Sequence, residues 1–249
     1  MKTMRAVQIT KQGGPLELVD REIPVPKAGQ VLLQVEACGV CHGEMVAIEG
    51  HHPRMQYPRV PGHEVIGRIV KVSQDVSGFE LGQRVGVGWN GGHGEVTGLT
   101  QDGGYAEYMV AYADGLARIP EELSSVEAAP LLCAGVTTFG ALKNSAERMG
   151  DTVAVLGIGG LAAGGEMVVV AGSGEPLDLS AAQFLNGRRS LKGWTAGFAK
   201  DSEETIRFSV FTGTHALIEE FPLERAAEAF ARMMDSKARF RSVLVMGKH

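Results

Sequence analysis

The chain has 249 residues, 44% of them hydrophobic, with 24 Lys and Arg set against 29 Asp and Glu for a net charge of −5. That length and apolar content suffice for one large or two modest folded domains, which excludes a disordered chain. Basic residues are scattered among acids and no apolar run reaches the roughly 20 residues that span a bilayer, so neither nucleic acid nor a membrane is an expected partner.

The opening Met1-Lys2-Thr3-Met4-Arg5 leads into a strand pattern rather than an apolar signal core, so a cytoplasmic protein is expected. The first half reads as β-rich. Residues 5–10, 31–37, 65–72 and 105–112 are short β-branched or alternating runs separated by Gly, Pro and Asp, which suits a small irregular barrel with tight turns. At Ser124-Ser125-Val126-Glu127 the pattern changes to a capping box, and 128–144 continues as an apolar, small-residue helix.

Thr152-Val153-Ala154-Val155-Leu156-Gly157 is a fully apolar strand of the parallel-sheet kind, followed by a glycine turn in which Gly157, Gly159 and Ala162 fit GxGxxA. The helix that should follow is missing, because Ala163-Gly164-Gly165-Glu166 runs into a second apolar strand at 167–171. A crossover between parallel strands needs a dozen or more residues, so a hairpin is expected. Further on, Asp201 or Ser202 starts a helix with Glu203 and Glu204 in its first turn. Leu223, Ala226, Ala227, Phe230 and Met233 then form the core-facing stripe of another helix, and 242–246 closes the chain as a strand.

Three cysteines in a chain this long make no disulfide framework, leaving metal binding, catalysis or burial for each. Cys41 sits at the end of a predicted strand, His63 just before another, and Cys133 within the capped helix. Two thiolates and one imidazole suit zinc, and three protein ligands leave a fourth position for water or substrate. Separations this long say nothing about proximity, so on spacing alone buried thiols and a loop histidine remain the alternative to a metal triad. Cys38 and Cys41 also form a CxxC, but no thioredoxin-like surroundings support a redox pair, and Cys38 reads as a buried thiol.

Four stretches carry a resemblance: Gly39-Val40-Cys41-His42, Pro61-Gly62-His63-Glu64-Val65-Ile66-Gly67, Asp102-Gly103-Gly104-Tyr105-Ala106-Glu107-Tyr108 and Leu132-Cys133-Ala134-Gly135-Val136-Thr137-Thr138. In this order they resemble the signature segments of zinc-dependent medium-chain alcohol dehydrogenases. The resemblance implies an α+β protein: a GroES-like β-barrel catalytic domain over 1–151 and 173–249, with flanking helices, and a two-strand remnant of a Rossmann domain at 152–172. It implies Cys41, His63 and Cys133 as ligands of one catalytic zinc, with Glu64 beside the metal. In such enzymes zinc polarises the substrate oxygen while a hydride passes to or from nicotinamide. His42, Thr137 and the Gly157, Gly159 and Gly160 turn are the expected cofactor contacts. His42 is also a candidate catalytic group, because Gly43 stands where the family carries a proton-relaying Ser or Thr; His51 and His52 are alternatives for that transfer through water. Trp89, Trp194, Phe139 and Met45 are candidate pocket residues, with ordinary core positions as the alternative.

The family's four-cysteine structural zinc is not expected, since Gly91-Gly92-His93-Gly94-Glu95-Val96 occupies that place without cysteine. His93 and Glu95 read as turn residues, and Glu175 as a surface residue rather than a ribose ligand. Loss of the helix that holds pyrophosphate implies weak NAD(P) binding. The two losses fall where a designer would cut, so an engineered minimal enzyme is the reading taken, beside natural deletion or a degenerate paralogue. The expected activity is that of an alcohol dehydrogenase or aldehyde reductase acting on small alcohols, aldehydes or other carbonyl compounds. A cofactor-independent Lewis-acid enzyme for hydrolysis or isomerisation, and an inert zinc scaffold, are the alternatives. Oligomeric state is left open, because the family's association surfaces are largely removed.

Overall fold

Ten residues alternating Val, Leu and Ala with polar neighbours, Gln30–Gly39, form the strand on which the fold is organised. The computed structural model describes residues 2–145, 166–170, 176 and 179–247. In chain order its elements are β1 (Thr3–Ile9), β2 (Leu16–Glu22), β3 (Gln30–Gly39), α1 (Glu44–Glu49), β4 (Val65–Val72), β5 (Arg84–Val87), β6 (Tyr108–Tyr112) and β7 (Leu116–Arg118). There follow α2 (Ser125–Ala128), α3 (Ala134–Lys143), β8 (Glu166–Val169), α4 (Ala181–Gly187), β9 (Ser190–Gly193), α5 (Ala199–Thr212), β10 (Ile218–Pro222), α6 (Ala226–Met234) and β11 (Arg241–Val245).

One edge of β3 takes β4, and the other takes β6 at residues 30–34 and then β11 at residues 37–39. Register shifts between Leu32 and Leu33 and between Val35 and Ala37 mark bulges against β4, and bulges bend and twist a strand. β5 and β7 extend the sheet on the β4 side, and β10 runs parallel to β11 on the other. The β1–β2 hairpin is tied across by bridges from Ala6 to Ala106 and from Ile9 to Arg59. Inside lie Leu33, Val35, Ile69, Tyr105, Met109 and Leu244; each large side chain buried this way contributes about 1.5–3 kcal/mol. A second cluster, including Ile66, Leu123, Leu132, Ile206 and Val243, packs the helices on the sheet. The arrangement is the α+β class expected, with the helices outside one β-domain.

Several local expectations are corrected. The helix expected over 128–144 is not continuous: α2 gives way to a 3-10 turn at Ala129–Leu132, Cys133 adopts φ −130° and ψ −76°, and α3 then sets off at 56° to the first piece. Pro130 supplies the reason, since it has no N–H and its ring crowds the carbonyl four residues back. Cys133 is therefore at a break and not inside a helix. In the stripe of α6, Ala227 faces solvent and Ala229 is buried in its place. β2 and β5 escaped the pattern reading, β2 because its exposed charges mask the alternation and β5 because it is only four residues long. The capping box is present, Ser124 Oγ accepting from the Glu127 N–H and Glu127 Oε2 accepting from the Ser124 N–H.

β8 pairs in parallel with β9, beyond the expected end of the Rossmann remnant. The strand at 152–156, its expected hairpin with 167–171, and the turn of Gly157, Gly159, Gly160 and Ala162 lie outside the described residues, as does Glu175.

Candidate metal centre

Three separate segments converge at one point. Cys41 follows the end of β3, His63 and Glu64 immediately precede β4, and Cys133 stands at the helix break before α3. The approach of the His63 segment depends on Gly62, whose φ of +103° suits only glycine and where a methyl group would lie 2.5 Å from the Tyr105 ring. Gly104 and Tyr105 donate backbone N–H bonds to the carbonyls of Gly62 and Pro61 and pin that loop.

One ligand-type atom from each of Cys41, His63, Glu64 and Cys133 can be chosen so that all lie within 4.8 Å of one another. The two sulfurs are 3.9 Å apart. His63 is buried and its Nδ1 stands 2.8 Å from Glu44 Oε1. The other carboxylate oxygen of Glu44 accepts the backbone N–H of Cys41 at 2.7 Å. This single side chain, at the start of α1, thus orients two members of the cluster. With Nδ1 so engaged, Nε2 is the free imidazole donor, and it is buried without a hydrogen-bond partner. An unpartnered buried nitrogen facing two sulfurs is costly for a protein alone and is the donor set a zinc ion satisfies. Trp89 packs edge-on against the His63 ring, centroids 4.8 Å apart. Gly43 leaves that corner clear, since a methyl group there would sit 2.8 Å from His63 Cε1 and 3.1 Å from the Trp89 ring.

Glu64 is fully buried and paired with Arg241 of β11, whose Nε donates to Oε2 at 3.2 Å and whose Nη2 donates to Oε1. Burial raises the Glu64 carboxyl to about 7 against the opposing pull of Arg241. The two thiols share one tight environment: hydrogen bonding from Cys133, and then the neighbouring His63 imidazole, lower Cys41 to about 2, while the resulting thiolate and burial raise Cys133. Burial works against the imidazolium of His63, but the Glu44 carboxylate and Cys41 raise its pKa well above the usual value. A divalent cation would replace the protons these groups hold.

The structure brings Cys41, His63, Cys133 and Glu64 together. Thr137 is buried one turn into α3, donating its N–H to the Cys133 carbonyl at 3.0 Å. His42 is exposed beside Cys41. His51 is turned to solvent and pairs with Glu49 at 3.2 Å, and His52 Nδ1 accepts the Arg54 N–H. Phe139 meets Phe208 in a tilted ring contact with centroids 5.0 Å apart, joining α3 and α5. Met45 is half-buried on α1, and Trp194 lies over Gly140. His93, with φ +52°, stacks on Tyr112, and Glu95 pairs with Arg54, as turn residues would. Cys38 is fully buried. Sequence reasoning missed Glu44 and Arg241. A carboxylate three residues after a cysteine was a usable signal for Glu44, whereas nothing local marks Arg241, which reaches Glu64 from 177 positions away.

Residues 27–121 match the family model described as the alcohol dehydrogenase GroES-like domain. Alcohol dehydrogenase notN of Aspergillus sp. (strain MF297-2) is 29% identical over 335 aligned positions that take in 98% of each chain. That alignment is longer than the 249 residues present here, so the relative has positions with no counterpart in this chain. An alcohol dehydrogenase of Geobacillus stearothermophilus is 42% identical over 182 residues, 64% of this chain and 52% of its own length. Among solved structures, the cobalt- and zinc-bound thermostable alcohol dehydrogenase from Pyrobaculum aerophilum superposes with a TM-score of 0.80 at 17% identity, covering 98% of this chain and 100% of its own.

Proposed function

Because the chain belongs to the zinc-type medium-chain alcohol dehydrogenase family, in a shortened form, we propose that it is a zinc-dependent oxidoreductase interconverting small alcohols and their carbonyl counterparts with NAD(P)(H). The observation that carries this reading is the buried, unpartnered His63 Nε2 set against the Cys41 and Cys133 sulfurs. Cys41, His63 and Cys133 would hold the ion, and a solved protein of the same fold is described as zinc-bound. Zinc in such a site supplies a Lewis acid that polarises the substrate oxygen and lowers an alcohol's pKa.

The chain's own residues do the rest. Glu44 holds His63 Nδ1 and so directs Nε2 at the metal position. Arg241 neutralises Glu64 and keeps that carboxylate aside from the ligands. Gly43 carries no hydroxyl, so the exposed His42, next to Cys41 in the chain, is assigned as the acceptor of the alcohol proton through water. His42 and Thr137 flank the ligands and are the assigned cofactor contacts, with Gly157, Gly159 and Gly160 beyond them in the chain. No structural zinc is assigned. The weak element is cofactor capture, and orientation accounts for much of the rate in a bimolecular hydride transfer.

Metal analysis and an NAD(P)H titration on the purified protein test this together. One zinc per chain, saturable NAD(P)H binding and zinc-dependent turnover of an alcohol or aldehyde are the expected results. Zinc without any nicotinamide binding would overturn the dehydrogenase reading and favour Lewis-acid chemistry instead.

A further inference from the structure

Residues 192–197, at and beyond the end of β9, run along α3 in the direction of Cys133, and each of their footholds is specific. Lys192 Nζ donates to the Asn144 carbonyl at 3.1 Å. Trp194 lies on Gly140, so closely that a methyl group there would be 2.5 Å from the indole Nε1 and 3.2 Å from Cε2. Gly197 abuts Val136, where a methyl group on Gly197 would be 2.8 Å from Cγ2. The Gly197 carbonyl finally accepts a bond from Asn90 Nδ2 at 2.9 Å.

Val136, Gly140 and Asn144 are spaced four residues apart and therefore form one stripe on α3. The segment 192–197 descends this stripe from the C-terminal end of α3 toward its start at Cys133. It finishes at Asn90, next to Trp89, the ring packed on His63. Upstream, the Trp194 N–H donates to Val169 of β8 at 2.9 Å and Lys192 pairs with Glu166 at 3.1 Å, so whatever holds Trp194 also holds the β8–β9 pair. A two-stranded parallel pair has little stability of its own. Among the footholds that tie it to α3, the indole on Gly140 is the largest side chain.

We propose that Trp194, seated on Gly140, is a positioning residue that holds segment 192–197 along α3, on the side of that helix that leads back to Cys133. This rests on the oxidoreductase reading for its effect on turnover, but not for the seat itself. Gly140 has no special backbone requirement inside α3, where alanine ordinarily favours a helix over glycine. Here alanine should do the opposite of what helix propensity dictates, because its methyl group and the indole compete for one space.

The test uses the zinc-loaded full chain with Gly140→Ala, Trp194→Ala and the two combined, plus Trp89→Phe as a background in which Trp194 is the one remaining tryptophan. Gly140→Ala should shift Trp194 emission to the red in that background. In the native-tryptophan chain it should lower kcat/KM for the nicotinamide reaction on the order of 100-fold, with zinc content unchanged. The double variant should be no worse than Trp194→Ala alone, because both changes empty the same seat. Combining Gly140→Ala with Trp194→Phe, whose smaller ring lacks the atom nearest the new methyl group, should recover part of the loss. Gly140→Ala with unshifted emission would overturn the proposal, as would additive effects in the double variant. If the unaltered protein shows no nicotinamide-linked turnover, the oxidoreductase reading fails, and the emission contrast decides the seat by itself.

Discussion

Glu44 shows how much one side chain can settle. One of its oxygens stands 2.8 Å from His63 Nδ1 and the other accepts the backbone N–H of Cys41, so Glu44→Gln should weaken zinc binding roughly 10- to 100-fold while circular dichroism stays native, measured by competition with a chromophoric chelator. The proton states of the cluster set a second expectation. Cys41 is ionised down to about 2, whereas Cys133 is raised by the neighbouring thiolate and His63 by Glu44, so at neutral pH two of the three ligands hold protons that zinc must displace. Binding that releases protons strengthens as pH rises. Apparent zinc affinity should therefore increase on the order of 100-fold per pH unit around neutrality, and a flat profile from pH 6 to 8 would contradict the proposed ligand set.

At the scale of elements, the broken helix matters more than the helix. The Ser124 cap and the apolar run after it were readable because capping and periodicity are local properties of the chain. The break at Cys133 was not read, although Pro130 was a local hint. What places the sulfur is the Ala129–Leu132 turn packed on the sheet, with Leu132 buried among Ile66, Leu123 and Ile206. Ser124→Ala should cost about 1 kcal/mol of stability, seen as a lower Tm with zinc content unchanged. Leu132→Ala should cost about 2–5 kcal/mol and, unlike the cap variant, also weaken zinc retention, because it loosens the turn that carries Cys133.

For the molecule as a whole, a metal bound by residues 41, 63 and 133 would tie β3, β4 and the helix break together, elements far apart in the chain. Ligand that binds only the folded state adds stability by mass action, about 2.7 kcal/mol at 100 times its Kd. Stripping zinc with a strong chelator should lower Tm, and added zinc should restore it; an unchanged Tm would argue against the site. The β-rich first half and the capped helix start at Ser124 were determined by the sequence itself, because strand alternation, turn residues and helix caps act over a few neighbouring positions, whereas the α+β class was legible through the family resemblance. Cys41, His63 and Cys133 were nameable only through the motifs around them, and their meeting was not. Proximity is a property of packing, and strand register brings Arg241 to Glu64 across 177 positions just as the helix break brings Cys133 to within 3.9 Å of Cys41. The seat of Trp194 on Gly140 is of the same kind: no local pattern pairs a tryptophan with a helix glycine, and only the close approach of two packed segments makes that glycine necessary.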